Sequence, residues 1–221
     1  MAGLRCGATY RTAGSIDYIT CRAVGQHRLY RATSAISGSI GYIGQHRLYK
    51  EGQLVHKEGW QGRYYEDFEI GDVYQHPLGR TVLPVDNVWF TLLTQNTAPI
   101  HVDRHYASQT EFGKPLVDST FTLALVTGQS VTDISQNVMA NLGWDEVRLP
   151  HPVFEGDTIY SQSEVLAKRE SNSRPQVGIV TVKTAGYNQK GTVVITFQRT
   201  VMVYKRGCAP HIPRLIPGDI P

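Results

Sequence analysis

The run STFTLALVTGQSV, residues 119–131, carries apolar side chains on every side of a helical wheel rather than along one stripe. A helix apolar all round belongs inside a protein, so the rest of the chain must supply the walls around it. The text after Gly143 supplies strands. Residues 147–153 lead to the turn Glu-Gly-Asp at 155–157, and further strands are expected over 159–167, 177–187 and 193–204. Turn chemistry separates them, SNSRP at 171–175 and NQKG at 188–191. Val193, Ile195, Phe197, Val201 and Val203 alternate onto one face of the last strand.

Upstream, residues 62–74 form an aromatic, acidic lead-in with a Gly-Asp turn, and a strand is expected to run from there through Val82. Val85, Val88, Trp89, Leu92 and Leu93 then recur at i, i+3, i+4, i+7 and i+8, one apolar stripe of a helix with Pro84 in its first turn. Residues 104–110 suggest a short helix broken by FGKP. Helices first and a strand meander afterwards predict an α+β fold, a single hot dog arrangement in which an antiparallel sheet wraps a buried helix.

Residues 1–58 read differently. They carry six Arg and two Lys against three acids, whereas the remainder is close to neutral, so the basic pI does not signal nucleic acid. GQHRLY occurs twice, at 25–30 and 44–49, too few copies for a repeat fold. Without sustained periodicity, 1–58 is expected to be a poorly ordered extension, a targeting segment, or a stretch absent from the natural product. The hot dog domain is expected over 59–206 and a Pro-rich surface tail over 207–221. No apolar run is long enough to span a membrane. Three scattered cysteines argue against a disulfide framework and fit a reducing, cytoplasmic setting, or an organelle matrix if 1–58 is a targeting segment. The histidines show no metal-ligand spacing, so no metal or cofactor is expected.

The stretch TQNTAPIH ends in His101, five residues after Asn96. With the following VDRHYASQTEFGKPLVDST it resembles the signature of the MaoC-like dehydratases, the (R)-specific enoyl-CoA hydratases: Asp-x-Asn-Pro-x-His, then Asp, Ala, Phe-Gly, an apolar pair and His-Gly. Pro99, His101, Asp103, Ala107, Phe112, Gly113 and Pro115 match, and the resemblance runs from about residue 62 to 205. Two departures fall at the chemistry. Asn96 stands where that signature has its catalytic Asp, and Asp118-Ser119 stand where it has His-Gly. DNVWFTLLTQNT, GWDEVRLPHPVFEGD and KRESNSRP resemble the branch that hydrates mesaconyl-CoA or itaconyl-CoA, in which Asn is tolerated at the first position.

The resemblance implies reversible addition of water to an enoyl thioester of CoA. That reaction needs a base for water, an acid for the α-carbon and donors for the enolate oxygen. The expected catalytic residues are His101, Asn96 and Asp118. Backbone N–H groups near Ser119 and Thr120 are the expected enolate donors, with Pro99 also beside the substrate. Each has a plainer reading: a hydrogen-bonded loop histidine, a helix C-cap at Asn96, a helix-end charge at Asp118. Asp103 reads as structural, and Lys168, Arg169 and Arg174 as either a CoA-phosphate contact or solvated turn charges. Competing functions are a thioesterase, disfavoured because residues 119–132 contain no Asp or Glu, and a non-catalytic acyl-CoA-binding protein. An open sheet edge predicts at least a homodimer.

Overall fold

The computed structural model describes residues 57 and 59–211, together with the backbone of three short strands in the N-terminal stretch. Those strands, β1 (Thr9–Thr12), β2 (Asp17–Thr20) and β3 (Leu29–Arg31), pair as an antiparallel meander in a unit of their own. The end of the first GQHRLY copy lies in β3. The second copy and residues 212–221 of the tail lie outside the described residues.

The second unit is the α+β hot dog fold. Its sheet runs in the order β4 (Val73–Gln75), β7 (Thr158–Glu170), β8 (Val177–Asn188), β9 (Val193–Tyr204), β6 (Val138–Arg148), all antiparallel, with β5 (Arg80–Thr81) also paired to β7. The β8–β9 hairpin turns where NQKG predicted. Asn188 Oδ1 accepts from the Lys190 and Thr192 amides, and Gly191 takes φ +78°, a conformation glycine enters without strain.

The strand expected at 147–153 instead begins at Val138 and ends at Arg148. Gly143, read as a break, lies inside β6 at one of three register shifts against β9. A glycine in a strand commonly marks such a bulge.

Helix α1 (Pro84–Thr94) starts as expected, with Pro84 at its first position and Asp86 accepting from the Leu83 amide. Its apolar stripe, however, does not face the core. Val85, Val88, Trp89, Leu92 and Leu93 are exposed, from 37% at Val88 to 79% at Leu93, while Asn87 and Thr91 are the buried pair. Helix α2 covers Arg104–Ser108 and α3 covers Ser119–Gln129. Helix α3 packs on the sheet through Val126, so closely that a Cβ on Gly186 of β8 would come within 2.6 Å of Val126 Cγ2. The expectation of an enclosed helix holds only in part. Thr122 and Val126 are buried, but Phe121, Leu123 and Leu125 are half-buried and Ala124 is exposed. One chain walls off one side of α3 and leaves the other uncovered.

Beyond the end of α3 the interior is polar. A π-helical turn, Val131–Ser135, carries Asp133, whose carboxylate meets His76 Nδ1 at 2.9 Å and Arg63 at 2.7 Å. His76 Nε2 lies 2.9 Å from Ser163 Oγ, which continues to Thr184. Arg199, sharing the inner face of β9 with Phe197 and Val201, donates to Ser130 Oγ.

Candidate active site

The site is assembled from the C-terminal end of α1, the loop behind it and the N-terminal end of α3. Gln95 closes α1 in the left-handed conformation (φ 56°), so Gln95, not Asn96, is the helix cap. That reversal turns the chain, and Asn96 follows with its own amide hydrogen on the Thr91 carbonyl. Its side chain bridges two elements. Oδ1 accepts from the Ala98 amide at 3.1 Å, and Nδ2 donates to Asp118 Oδ2 at 2.6 Å. Pro99 then opens a single 3₁₀ turn, Pro99–His101, and its carbonyl takes the Val102 and Asp103 amides.

His101 Nδ1 is 2.7 Å from the Leu116 carbonyl oxygen. A carbonyl can only accept, so Nδ1 carries the hydrogen and Nε2 keeps a lone pair in the neutral ring. Among the described residues Nε2 has no hydrogen-bond partner. The imidazole is therefore held as a base with its reactive nitrogen free.

Asp118 is buried and caps α3. Its Oδ1 accepts from the Thr120 amide (2.7 Å), the Thr120 hydroxyl and the Phe121 amide (3.3 Å). Burial alone would push this carboxyl up, yet the hydrogen bonds from Thr120, Asn96 and the two amides outweigh it and hold it below the usual carboxylate value. It is an anion at neutral pH.

This corrects one expectation. The Thr120 N–H is spent on Asp118 and is not free to meet a substrate oxygen, whereas the Ser119 N–H has no partner among the described residues. Next to Ser119 lies an open cleft of about 280 Å³, lined by Phe112, Leu116, Val117, Thr122, His151 and Val153 among others. Such an apolar trough with a few polar groups suits a small acyl chain.

Other expected groups fall elsewhere. Asp103 caps α2 by accepting from the Tyr106 amide, a structural role. Lys168 donates to the Phe68 carbonyl and lies over the Tyr65 ring, and Arg174 contacts Met139. None of Lys168, Arg169 and Arg174 shares a hydrogen bond with the His101 cluster. Asn87, which sequence reading passed over, stands at the centre of that cluster. Its Nδ2 donates to the carbonyls of His101 (2.8 Å) and Leu116 (3.0 Å), and its Oδ1 accepts from the Asp118 amide (3.0 Å). The one signal available was a polar residue on the side of α1 opposite its apolar stripe.

Residues 67–188, more than half of the chain, match the MaoC like domain. The chain belongs to the MaoC-like dehydratase family. Among its MaoC-like relatives, a mesaconyl-CoA hydratase from Cereibacter sphaeroides is 36% identical over 152 residues, which are 69% of this chain and 44% of that protein. The chain thus spans less than half the length of that curated relative. A monoamine oxidase regulatory protein from Archaeoglobus is 32% identical in sequence, with a TM-score of 0.59, covering 66% of this chain and 97% of that one. A Mycobacterium tuberculosis protein described as having a double hotdog fold superposes with a TM-score of 0.62 at 23% identity, over 72% of this chain and 49% of that one, a likeness of fold. No helix among the described residues is long and apolar enough to cross a membrane.

Proposed function

We propose that this MaoC-like unit is a hydratase–dehydratase, adding water reversibly to an α,β-unsaturated acyl-CoA. The short branched dicarboxylic type, as in mesaconyl-CoA, is favoured by the hydratase with which it shares 36% identity. The observation that carries the reading is the His101 tautomer: Nδ1–H is tied to Leu116 and Nε2 is left as a free base. His101 Nε2 takes a proton from water as the hydroxyl oxygen bonds to the β-carbon. The imidazolium then delivers a proton to the α-carbon, so the ring ends as it began. Asn96 cannot take a proton, but its amide and the Asp118 carboxylate offer a donor–acceptor pair that can hold the water. The Ser119 N–H, at the positive end of α3, faces the charge that builds on the thioester oxygen. Thr120 contributes through its bonds to Asp118, and Pro99 shapes the turn that presents His101.

The working form is proposed to contain a second copy of the chain. Three surfaces stand uncovered: the α1 stripe, the outer flank of α3, and the β6 edge with Leu142 and Trp144 exposed. A relative of which the matched region is only 44%, and a two-unit fold neighbour, support a second hot dog unit as the occupant. Three scattered cysteines, and CoA as the carrier, suit a cytoplasmic setting.

The test is direct. The purified protein is incubated with mesaconyl-CoA, itaconyl-CoA and crotonyl-CoA, and loss of enoyl-thioester absorbance is followed. Turnover of at least one is expected. No turnover of any, with CoA binding retained, would instead make this a non-catalytic acyl-CoA-binding protein.

A further inference from the structure

We infer that Asn87 is the positioning residue of this site, the group that sets both the place and the tautomer of His101. The argument rests on the reading of His101 as the base. Asn87 is fully buried in the interior of α1. Asparagine is a poor choice for a helix interior, since its side chain competes for backbone hydrogen bonds. Here its amide is used on three neighbouring segments at once. Both Nδ2 hydrogens are spent, one on the His101 carbonyl and one on the Leu116 carbonyl, and Oδ1 receives the Asp118 amide.

The Leu116 carbonyl is the pivot. It accepts from Asn87 Nδ2 and also from His101 Nδ1. Holding that oxygen in place is what keeps the hydrogen on Nδ1 and the lone pair on Nε2. The Leu116 amide in turn donates to the Ile100 carbonyl, so the His101 turn and the segment before α3 are cross-linked next to the same amide. The Asp118 bond places the start of α3, and with it the carboxylate facing Asn96.

No other side chain meets these demands at this reach. Aspartate lacks the two donors, glutamine is one methylene too long, and leucine strips the His101 carbonyl and the Asp118 amide of this partner and leaves the Leu116 carbonyl with His101 Nδ1 alone. Asn87 does not itself line the cleft, so its effect is transmitted through His101, Leu116 and Asp118.

The experiment uses the full chain carrying ¹⁵N-histidine. In the wild type the nitrogens of the neutral His101 ring should report Nδ1–H and an unprotonated Nε2. In Asn87→Leu they should move toward an average of the two tautomers. With the enoyl-CoA turned over best by the wild type, kcat should fall by about 100-fold, the loss expected when a catalytic group is displaced by an ångström, while KM stays within about twofold. Asn87→Asp supplies a second test should the leucine variant not fold. Its protonated carboxyl can donate one bond and its ionised form none, so its kcat relative to wild type should rise as pH falls. A folded Asn87→Leu protein with the wild-type His101 spectrum and kcat overturns the inference, as does an Asn87→Asp ratio that does not vary with pH. If the wild type turns over no enoyl-CoA, the hydratase reading fails, and the imidazole spectrum still decides the role of Asn87.

Discussion

Exchanging the amide and the carboxylate of the Asn96–Asp118 pair gives a quantitative expectation. The two side chains meet at 2.6 Å, Nδ2 to Oδ2, while Asn96 Oδ1 is held by the Ala98 amide and Asp118 Oδ1 by the start of α3. In Asp118→Asn two NH₂ groups face each other at that distance. Turning either amide only moves the conflict to Ala98 or Thr120. The loss is one charge-assisted hydrogen bond, about 1.5–3 kcal/mol, and the favourable placement of an anion at a helix N-terminus, about 0.3–1 kcal/mol. Asn96→Asp brings two carboxylates together instead, and one of them must hold a proton at a strongly raised pKa. The double exchange restores one donor facing one acceptor. Each single variant should therefore cost about 2–4 kcal/mol, and the double less than their sum by about 2 kcal/mol, a coupling within the range for contacting residues. Guanidinium unfolding of the four proteins at pH 7 measures it. Strictly additive effects, within about 0.5 kcal/mol, would refute the pairing.

The sign of the pH dependence follows as well. Asp118 lies below its ordinary value of 3.8 in the folded protein, so its contribution is complete above that pH and is lost as pH falls through the folded value; Asp118→Asn should lack this acid limb. His76 is lowered from 6.5 chiefly by burial, with Arg63 and Arg199 adding to the effect and Asp133 opposing it. Folding thus favours neutral His76, and stability should be full above pH 6.5 and fall below it; melting curves from pH 8 to 5 should show a shallower fall in His76→Gln. Leu92→Asp together with Leu93→Asp places charge on the α1 stripe, and sedimentation should show a wild-type dimer become monomer while the far-ultraviolet spectrum is kept. An unchanged sedimentation coefficient would remove α1 from the interface.

Much of this architecture was written in local pattern. Alternation marked β9, turn chemistry marked its hairpin with β8, and the position of Pro84 marked the start of α1. The errors have one physical source. Periodicity reports that a face is apolar, not which partner covers it, so α3 read as enclosed although one flank is not fully covered within one chain, and the α1 stripe, read only as apolar, lies exposed. Gly143 misled for a local reason: a bulge tolerates the residue that otherwise signals a break. At the site, the motif brought out His101, Asn96 and Asp118, whose proximity comes from the reversal at Gln95 and the cap of α3. Asn87 lay beyond it, because an amide that serves three backbone groups from distant segments leaves no local spacing to read. The His76–Asp133–Ser163 chain was hidden in the same way, its members drawn from three separate elements.

The most direct measurement of the central claim compares wild type with His101→Ala for hydration of mesaconyl-CoA and crotonyl-CoA, with the variant's fold checked by its thermal transition. Removing a general acid–base typically costs about 10²–10⁴-fold, so kcat should fall by at least 100-fold with the transition intact. A folded His101→Ala protein that hydrates either thioester at the wild-type rate would contradict the account.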